Sequence, residues 1–174
     1  MPDKKKFVII DGNAIIHRAY HAIPPMTTKD GTMVNAVYGF TSMLLKVMSD
    51  LKPDYLCVSF DLRGGTFRNK VYDKYKATRV KADQDLYDKI PLVYKIVEVF
   101  DIPIYIKKGY EADDVIGTVV EKLKKENVES IIVTGDMDML QLVDDKVKVY
   151  ELRKGLSDIV IFHAEKVKQK NGFG

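Results

Sequence analysis

Three stretches of the sequence decide the fold: FVIID (7–11), YLCVSFD (55–61) and SIIVTGD (130–136). Each is a short run of apolar, mostly β-branched residues that ends at an aspartate. Because these runs are apolar on both faces, they are typical of strands buried in a parallel sheet, not of half-exposed antiparallel strands. The sequence therefore predicts three buried parallel strands, each ending at a carboxylate.

Helical patterns separate these runs. Apolar residues recur at helical spacing over 34–51, where Lys52-Pro53 ends the pattern, over about 86–100, and from Glu111 onward. Alternation of short strands with helices is typical of a parallel sheet covered by helices. We therefore predict an α/β fold.

Composition narrows the class of protein. The 174 residues have the length of one ordinary domain, and 46% of them are hydrophobic, which is enough for a core. No apolar run approaches the roughly 18 residues that span a membrane, and the N-terminus lacks the apolar stretch of a signal peptide. The single cysteine, Cys57, indicates a reducing compartment. We expect a cytoplasmic protein with no membrane partner.

Acidic residues occupy the positions where ligands bind in such folds. Ligands of open α/β sheets lie beyond the carboxyl ends of the strands. If the three strands are neighbours, their terminal aspartates converge, and the helix that starts near Glu111 adds three acids on the same rim. Asp138 follows two residues after Asp136 and adds another. Seven carboxylates are therefore candidate metal ligands: Asp11, Asp61, Glu111, Asp113, Asp114, Asp136 and Asp138.

Crowded carboxylates need cations, because like charges repel and buried charges resist desolvation. Oxygen ligands suit Mg²⁺ or Mn²⁺, and two such ions roughly 4 Å apart can serve phosphodiester hydrolysis. Each motif also has a structural explanation, since strand-end aspartates form turns and acids stabilise helix N-termini. The combination of motifs favours a metal centre.

A basic segment lies between residues 62 and 82. It carries one acid, Asp73, among seven cations, while the whole chain has a net charge of only +3. Its aromatic residues are Phe67, Tyr72 and Tyr75. Cations bind phosphates and aromatic rings stack on bases, so this pattern favours single-stranded nucleic acid over a merely solvated loop. The cations are Arg63, Arg68, Lys70, Lys74, Lys76, Arg79 and Lys81.

Five motifs in this order resemble the N-terminal 5′-nuclease domain of bacterial DNA polymerase I, and more distantly flap endonucleases of the PIN-like superfamily. They are IIDGNAIIHRAYHA (9–22), NAVYGF (35–40), FRNKVYDKYKATR (67–79), GYEADDVIGT (109–118) and TGDMDMLQL (134–142). The resemblance implies a three-layer fold with helices on both faces of a mostly parallel sheet. It also implies that 1–174 is the catalytic core and that about 62–85 forms a helical arch.

The resemblance assigns roles to individual residues. It implies that the seven carboxylates bind Mg²⁺ or Mn²⁺, with two ions expected, and that Asp11, Asp61, Lys76 and Arg79 serve catalysis. The residues expected to bind DNA are Arg18, Arg63, Arg68, Tyr72, Tyr75, Lys76 and Arg79.

The resemblance also implies an activity: 5′-3′ exonuclease and flap endonuclease cleavage of DNA in replication and repair. The expected substrates are 5′ flaps or ends, RNA primers included, processed beside a DNA polymerase. Family members continue into a helix–three-turn–helix module that grips duplex DNA, and we expect this chain to stop before it. Two alternatives therefore stay open, a catalytically incomplete DNA-binding fragment and a PIN-like ribonuclease.

Overall fold

The structure is a computed structural model that describes residues 4–62, 64, 66–72, 84–152 and 158–170. Its strands are β1 (Lys5–Asp11), β2 (Tyr55–Ser59), β3 (Ile104–Tyr105), β4 (Val128–Thr134), β5 (Val147–Leu152) and β6 (Ile159–Phe162). Its helices are α1 (Gly12–Ala22), α2 (Asn35–Leu51), α3 (Phe67–Val71), α4 (Gln84–Val99), α5 (Ala112–Leu123) and α6 (Ala164–Lys170), with one 3-10 helix at Met137–Leu142.

One sheet organises the described residues, with the strand order β3-β2-β1-β4-β5-β6. Strand β1 lies at the centre and pairs in parallel with β2 and β4, while β6 is antiparallel to β5. The three predicted strands are therefore confirmed, and they are direct neighbours. Two of them end earlier than predicted, because Asp61 and Asp136 each lie two residues beyond the last strand residue, Ser59 or Thr134.

Both faces of the sheet are covered. Alternate residues of β1 point to opposite faces, as the pleat of a strand requires. Val8 and Ile10 belong to a core that contains buried residues of α1, α2 and α4. Phe7 and Ile9 belong to a second core, which contains buried residues of α5 and the 3-10 helix. The predicted three-layer α/β fold is confirmed.

Helix α1 follows the central strand without an intervening loop, and the sequence analysis did not predict it. Asp11 caps the helix, since its carboxylate accepts a hydrogen bond from the Ala14 backbone N–H at 3.0 Å. Gly12 lets this turn pack against Phe60, because a Cβ at this position would lie 2.1 Å from the Phe60 ring. The turn places the N-terminus of α1 at the carboxyl edge of the sheet.

The segment expected to form the arch is described only in part. Helix α3 lies within it, and Tyr72 follows that helix, whereas residues 63, 65 and 73–83 lie outside the described residues. Helix α4 begins at Gln84, close to the predicted start near Leu86. Among the described helices, none is both long enough and apolar enough to cross a membrane.

The contact between α1 and α2 depends on Gly39. A Cβ at this position would lie 2.6 Å from the Ala19 Cβ, whereas a Cβ at Gly117 on α5 would lie 3.8 Å from its nearest neighbour. Alanine adds similar helix propensity at both positions. We therefore expect Gly39→Ala to be less stable than Gly117→Ala by about 1–3 kcal/mol in urea unfolding, because the overpacked helices must separate. Equal unfolding midpoints would contradict this packing.

Candidate active site

The centre of the site is the end of β1. The Asp11 side chain is buried, with 4% of the residue exposed. One carboxylate oxygen accepts from Ala14 N–H, and the other accepts from the Thr134 hydroxyl at 2.9 Å. The Thr134 oxygen in turn accepts from the Asp136 backbone N–H at 3.0 Å. A short chain of hydrogen bonds therefore fixes Asp11 and places the loop that carries Asp136 beside it.

Asp61 connects β2 to the start of α5. Its backbone N–H donates to the Asn13 side-chain oxygen at 3.0 Å, and its carboxylate accepts from the Ala112 backbone N–H at 2.6 Å. Ala112 is the first residue of α5, so the carboxylate lies at the positive end of the helix dipole. The start of α5 therefore lies on the same edge of the sheet as the strand ends, as predicted.

The acids at the start of α5 have different partners. Asp114 accepts from the Glu111 backbone N–H at 2.9 Å, which caps the helix. Both oxygens of Asp114 also accept hydrogen bonds from the Arg68 guanidinium of α3, each at 2.7 Å. The same guanidinium lies 3.6 Å from a carboxylate oxygen of Glu111. A residue predicted to bind DNA is thus paired with two predicted metal ligands.

The two acids after β4 are joined by a local turn. Asp136 caps the 3-10 helix, and its carboxylate accepts from the Asp138 backbone N–H at 2.9 Å. Asp138 itself is exposed. The geometry places Asp136 beside Asp11 and Asp138 towards solvent.

The carboxylates that lie close together are those whose charges raise one another's pKa. Burial, and after it the charges of Asp11, Asp136, Asp61 and Glu111 in that order, together raise the pKa of Asp113 to about 7. Burial also raises the pKa of Asp11 to about 6, against the effect of its hydrogen bonds, with contributions from Asp61 and Asp136. We call these five residues the carboxylate cluster. Asp114 and Asp138 lie outside it.

The chemistry of the carboxylate cluster fits a hard divalent cation. Its donors are all oxygens, and the repulsion among them is relieved only by protonation or by positive charge. Within the described residues, no three His, Cys, Asp or Glu side chains are already arranged around a single metal position. Side-chain rotation would therefore be needed to complete a metal site, with Glu111 turning away from Arg68.

A cavity of about 480 Å³ adjoins Asp136. A Cβ at Gly135 would lie 3.0 Å from the Arg18 Nε, so the absence of a side chain there lets Arg18 lie against the loop after β4. His21 follows Arg18 by three residues on α1 and faces the same cavity. The lining residues are Ala14, Arg18, His21, Ala22, Gly135 and Asp136.

The remaining predicted site residues divide into two groups. Tyr72 is exposed at the end of α3, with 59% of its surface accessible. Arg63, Tyr75, Lys76 and Arg79 lie outside the described residues.

Two residues that orient the aspartates, Asn13 and Thr134, were not predicted from the sequence. Asn13 lies two residues after the strand-end Asp11, and Thr134 lies two residues before the strand-end Asp136, which is the signal that could have identified them.

The raised pKa of Asp113 predicts a pH-dependent stability without metal. The folded chain keeps a proton on Asp113 up to about pH 7, whereas an unfolded aspartate loses it near 3.8, so stability is lost as pH rises between these values. In EDTA at pH 8, we expect Asp113→Asn to be more stable than the wild type by on the order of 1 kcal/mol, or about 2–4 °C in Tm. At pH 3.5 the difference should vanish.

The control for this prediction is Asp145→Asn. Asp145 is exposed beside the turn that precedes β5, at the opposite edge of the sheet. Its substitution should leave Tm unchanged at both pH values. Scanning calorimetry that finds Asp113→Asn destabilised at pH 8 would contradict the proposed crowding of carboxylates.

Sequence comparison relates the chain to known proteins. A profile of the family described as "5'-3' exonuclease, N-terminal resolvase-like domain" matches residues 6–172. DNA polymerase I of Caldicellulosiruptor bescii is 43% identical over 169 residues, covering 96% of this chain and 20% of the relative. DNA polymerase I of Bacillus subtilis is 37% identical over 172 residues, covering 99% and 20%. The chain thus spans about a fifth of the length of these relatives.

Solved structures share the fold. T5 D15 protein co-crystallised with metal ions superposes with a TM-score of 0.78 at 14% identity, covering 97% of this chain and 61% of that one. T5 5′-exonuclease with bound zinc gives a TM-score of 0.76 at 16% identity, with the same coverage. Identities this low show a common architecture alone. The profile match over nearly the whole length shows that the chain belongs to the 5′-3′ exonuclease N-terminal domain family, a family of nucleases.

Proposed function

We propose that this chain is the catalytic core of a divalent-metal-dependent 5′-3′ exonuclease and structure-specific flap endonuclease that hydrolyses DNA phosphodiesters. The observation that carries the proposal is the carboxylate cluster, in which three strand-end aspartates meet the acidic start of α5. Such a concentration of negative charge at the carboxyl edge of a parallel sheet is explained by a bound cation. Membership of a nuclease family supports this interpretation.

The chain's own residues would hold the reacting groups in place. Asp11 and Asp61 are fixed by hydrogen bonds from neighbouring backbone and hydroxyl groups, so they would bind a cation with little loss of side-chain freedom. Glu111, Asp113 and Asp136 would complete the ligand set. A pair of Mg²⁺ or Mn²⁺ ions bound there would activate water and neutralise developing charge on the phosphate.

Basic residues beside the carboxylate cluster would position the substrate. Arg18 faces the adjoining cavity, where a guanidinium can pair with a backbone phosphate. Arg68 and Tyr72 lie on or beside α3, at the start of the basic segment. We propose that residues 62–85 form an arch in which Arg63, Tyr75, Lys76 and Arg79 contact the displaced 5′ strand, with Lys76 and Arg79 promoting cleavage.

The proposed substrate is DNA with a 5′ flap or end, including ends that carry RNA primers. Cleavage would leave 5′-phosphate and 3′-hydroxyl ends. The relatives named DNA polymerase I support a role beside a polymerase in replication and repair. We further propose that 1–174 acts as one catalytic unit.

A second candidate is a DNA-binding domain without turnover. One observation favours it: Arg68 is paired with Asp114 and Glu111. In that case the basic surface would bind flap DNA, and the carboxylates would remain paired with arginine.

Cleavage of a 5′-labelled flap duplex distinguishes the two candidates. In Mg²⁺ or Mn²⁺ we expect cutting near the flap junction, and we expect Asp136→Ala to reduce the rate at least about a hundredfold, because a cation ligand beside Asp11 is lost. Asp145→Ala, at the opposite edge of the sheet, should cut at the wild-type rate. Binding should survive in both variants.

Three other outcomes are informative. Unchanged cleavage by Asp136→Ala would contradict the metal-site assignment. Flap binding by the wild type without any cleavage would support the DNA-binding candidate. Cleavage of unstructured RNA with no cleavage of flap DNA would overturn the proposed substrate.

A further inference from the structure

We propose that Phe67 and Tyr110 form a platform on which an unpaired base of the substrate stacks, one or two nucleotides from the phosphate that is cut. We call these two residues the aromatic platform. The inference rests on the proposed function, because it requires a DNA strand at the carboxylate cluster. It assigns a base-binding site to one residue near the start of the basic segment and one residue directly before Glu111.

The two rings lie side by side on the surface. Their centroids are 5.4 Å apart and their planes are inclined by 48°. Phe67 and Tyr110 are 43% and 46% exposed, so ring surface remains accessible after they pack together. A hydrogen bond of 2.9 Å from the Phe67 backbone N–H to the Gly109 carbonyl joins the two segments. The platform is therefore held by its own backbone and is ready to contact a flat ligand.

The platform adjoins the proposed metal ligands. Tyr110 directly precedes Glu111 of the carboxylate cluster, and Phe67 directly precedes Arg68. The Arg68 guanidinium lies 4.7 Å from the Phe67 ring centroid while it binds Asp114. The same guanidinium lies 3.6 Å from a carboxylate oxygen of Glu111, so it joins the platform to the carboxylate cluster.

The charge around the platform suits a nucleic-acid strand. Lys107 and Lys108 are exposed in the turn that leads to Tyr110, and the Tyr110 backbone N–H closes this turn on the Lys107 carbonyl at 3.1 Å. Arg68 lies on the other side. Rings flanked by cations bind single strands by base stacking and phosphate contact. An apolar protein partner would not explain the cations on both sides of the rings.

The alternative is a structural role, in which the two rings only hold α3 against the turn before α5. The two roles differ in what they require of the DNA. Stacking needs a base at one position of the flap, whereas fastening is indifferent to whether that base is present. A comparison of intact and abasic DNA therefore separates them.

The experiment is a double-mutant cycle with a labelled 5′-flap duplex, measured by fluorescence anisotropy in Ca²⁺ with the DNA checked for integrity. One flap is intact, and others lack a single base one or two nucleotides from the junction. The proteins are the wild type, Tyr110→Leu and Phe67→Leu. The control is Tyr55→Leu, because Tyr55 is similarly exposed, at 48%, but lies at the start of β2 on the opposite edge of the sheet.

We expect loss of one base to weaken binding by the wild type about five- to tenfold. Tyr110→Leu and Phe67→Leu should bind the intact flap with similarly reduced affinity and should no longer distinguish it from the abasic flap. Tyr55→Leu should behave as the wild type. In addition, 2-aminopurine at the sensitive position should be quenched by the wild type and not by Tyr110→Leu.

Two results would overturn the inference while leaving the proposed function intact. One is wild-type binding that is indifferent to every abasic position. The other is an equal loss of affinity by Tyr110→Leu for intact and abasic flaps, which would show that the rings only fasten α3. By contrast, failure of the wild type to bind or cut any flap DNA would overturn the proposed function, and the platform with it.

Discussion

The structure depends on one buried carboxylate at the end of its central strand. Asp11 is held from two sides, by the first turn of α1 and by the hydroxyl of Thr134 on the neighbouring strand. These bonds cap the helix, join two strand ends and fix the loop that carries Asp136. They do not remove the cost of the buried charge, since the pKa of Asp11 is still raised to about 6. The same group thus organises the fold and is a buried carboxylate that a nearby positive charge would stabilise.

The negative charge of the site can be compensated in two ways in this chain. Without a cation, protonation satisfies Asp113, and Arg68 satisfies Asp114 and Glu111. With a cation bound to the carboxylate cluster, Glu111 would turn inward and leave Arg68 paired with Asp114 alone. Because Arg68 belongs to α3, such an exchange would link the state of the carboxylate cluster to the segment that we propose to bind the displaced strand. Functional sites commonly lower the stability of the folded protein.

Much of this arrangement could be predicted from the sequence, because each buried strand is a continuous apolar run and each is followed by an aspartate. Runs of this kind specify a parallel sheet and therefore the edge at which carboxylates meet. Helix α1 was missed because its cap, Asp11, was interpreted only as a strand end. The pairing of Arg68 with Asp114 joins residues 46 apart and leaves no local pattern. The aromatic platform also joins residues that are distant in the sequence and leaves no local pattern.

The central claim is that the strand-end carboxylates share a divalent cation, and direct metal binding tests it most closely. Titration of Mn²⁺, followed by calorimetry and by electron paramagnetic resonance, should show binding to the wild type at pH 8. Asp11→Asn, which keeps the size of the side chain and removes its charge, should bind at least about tenfold more weakly, while Asp145→Asn should match the wild type. Equal affinity of Asp11→Asn and the wild type for Mn²⁺ would contradict the account.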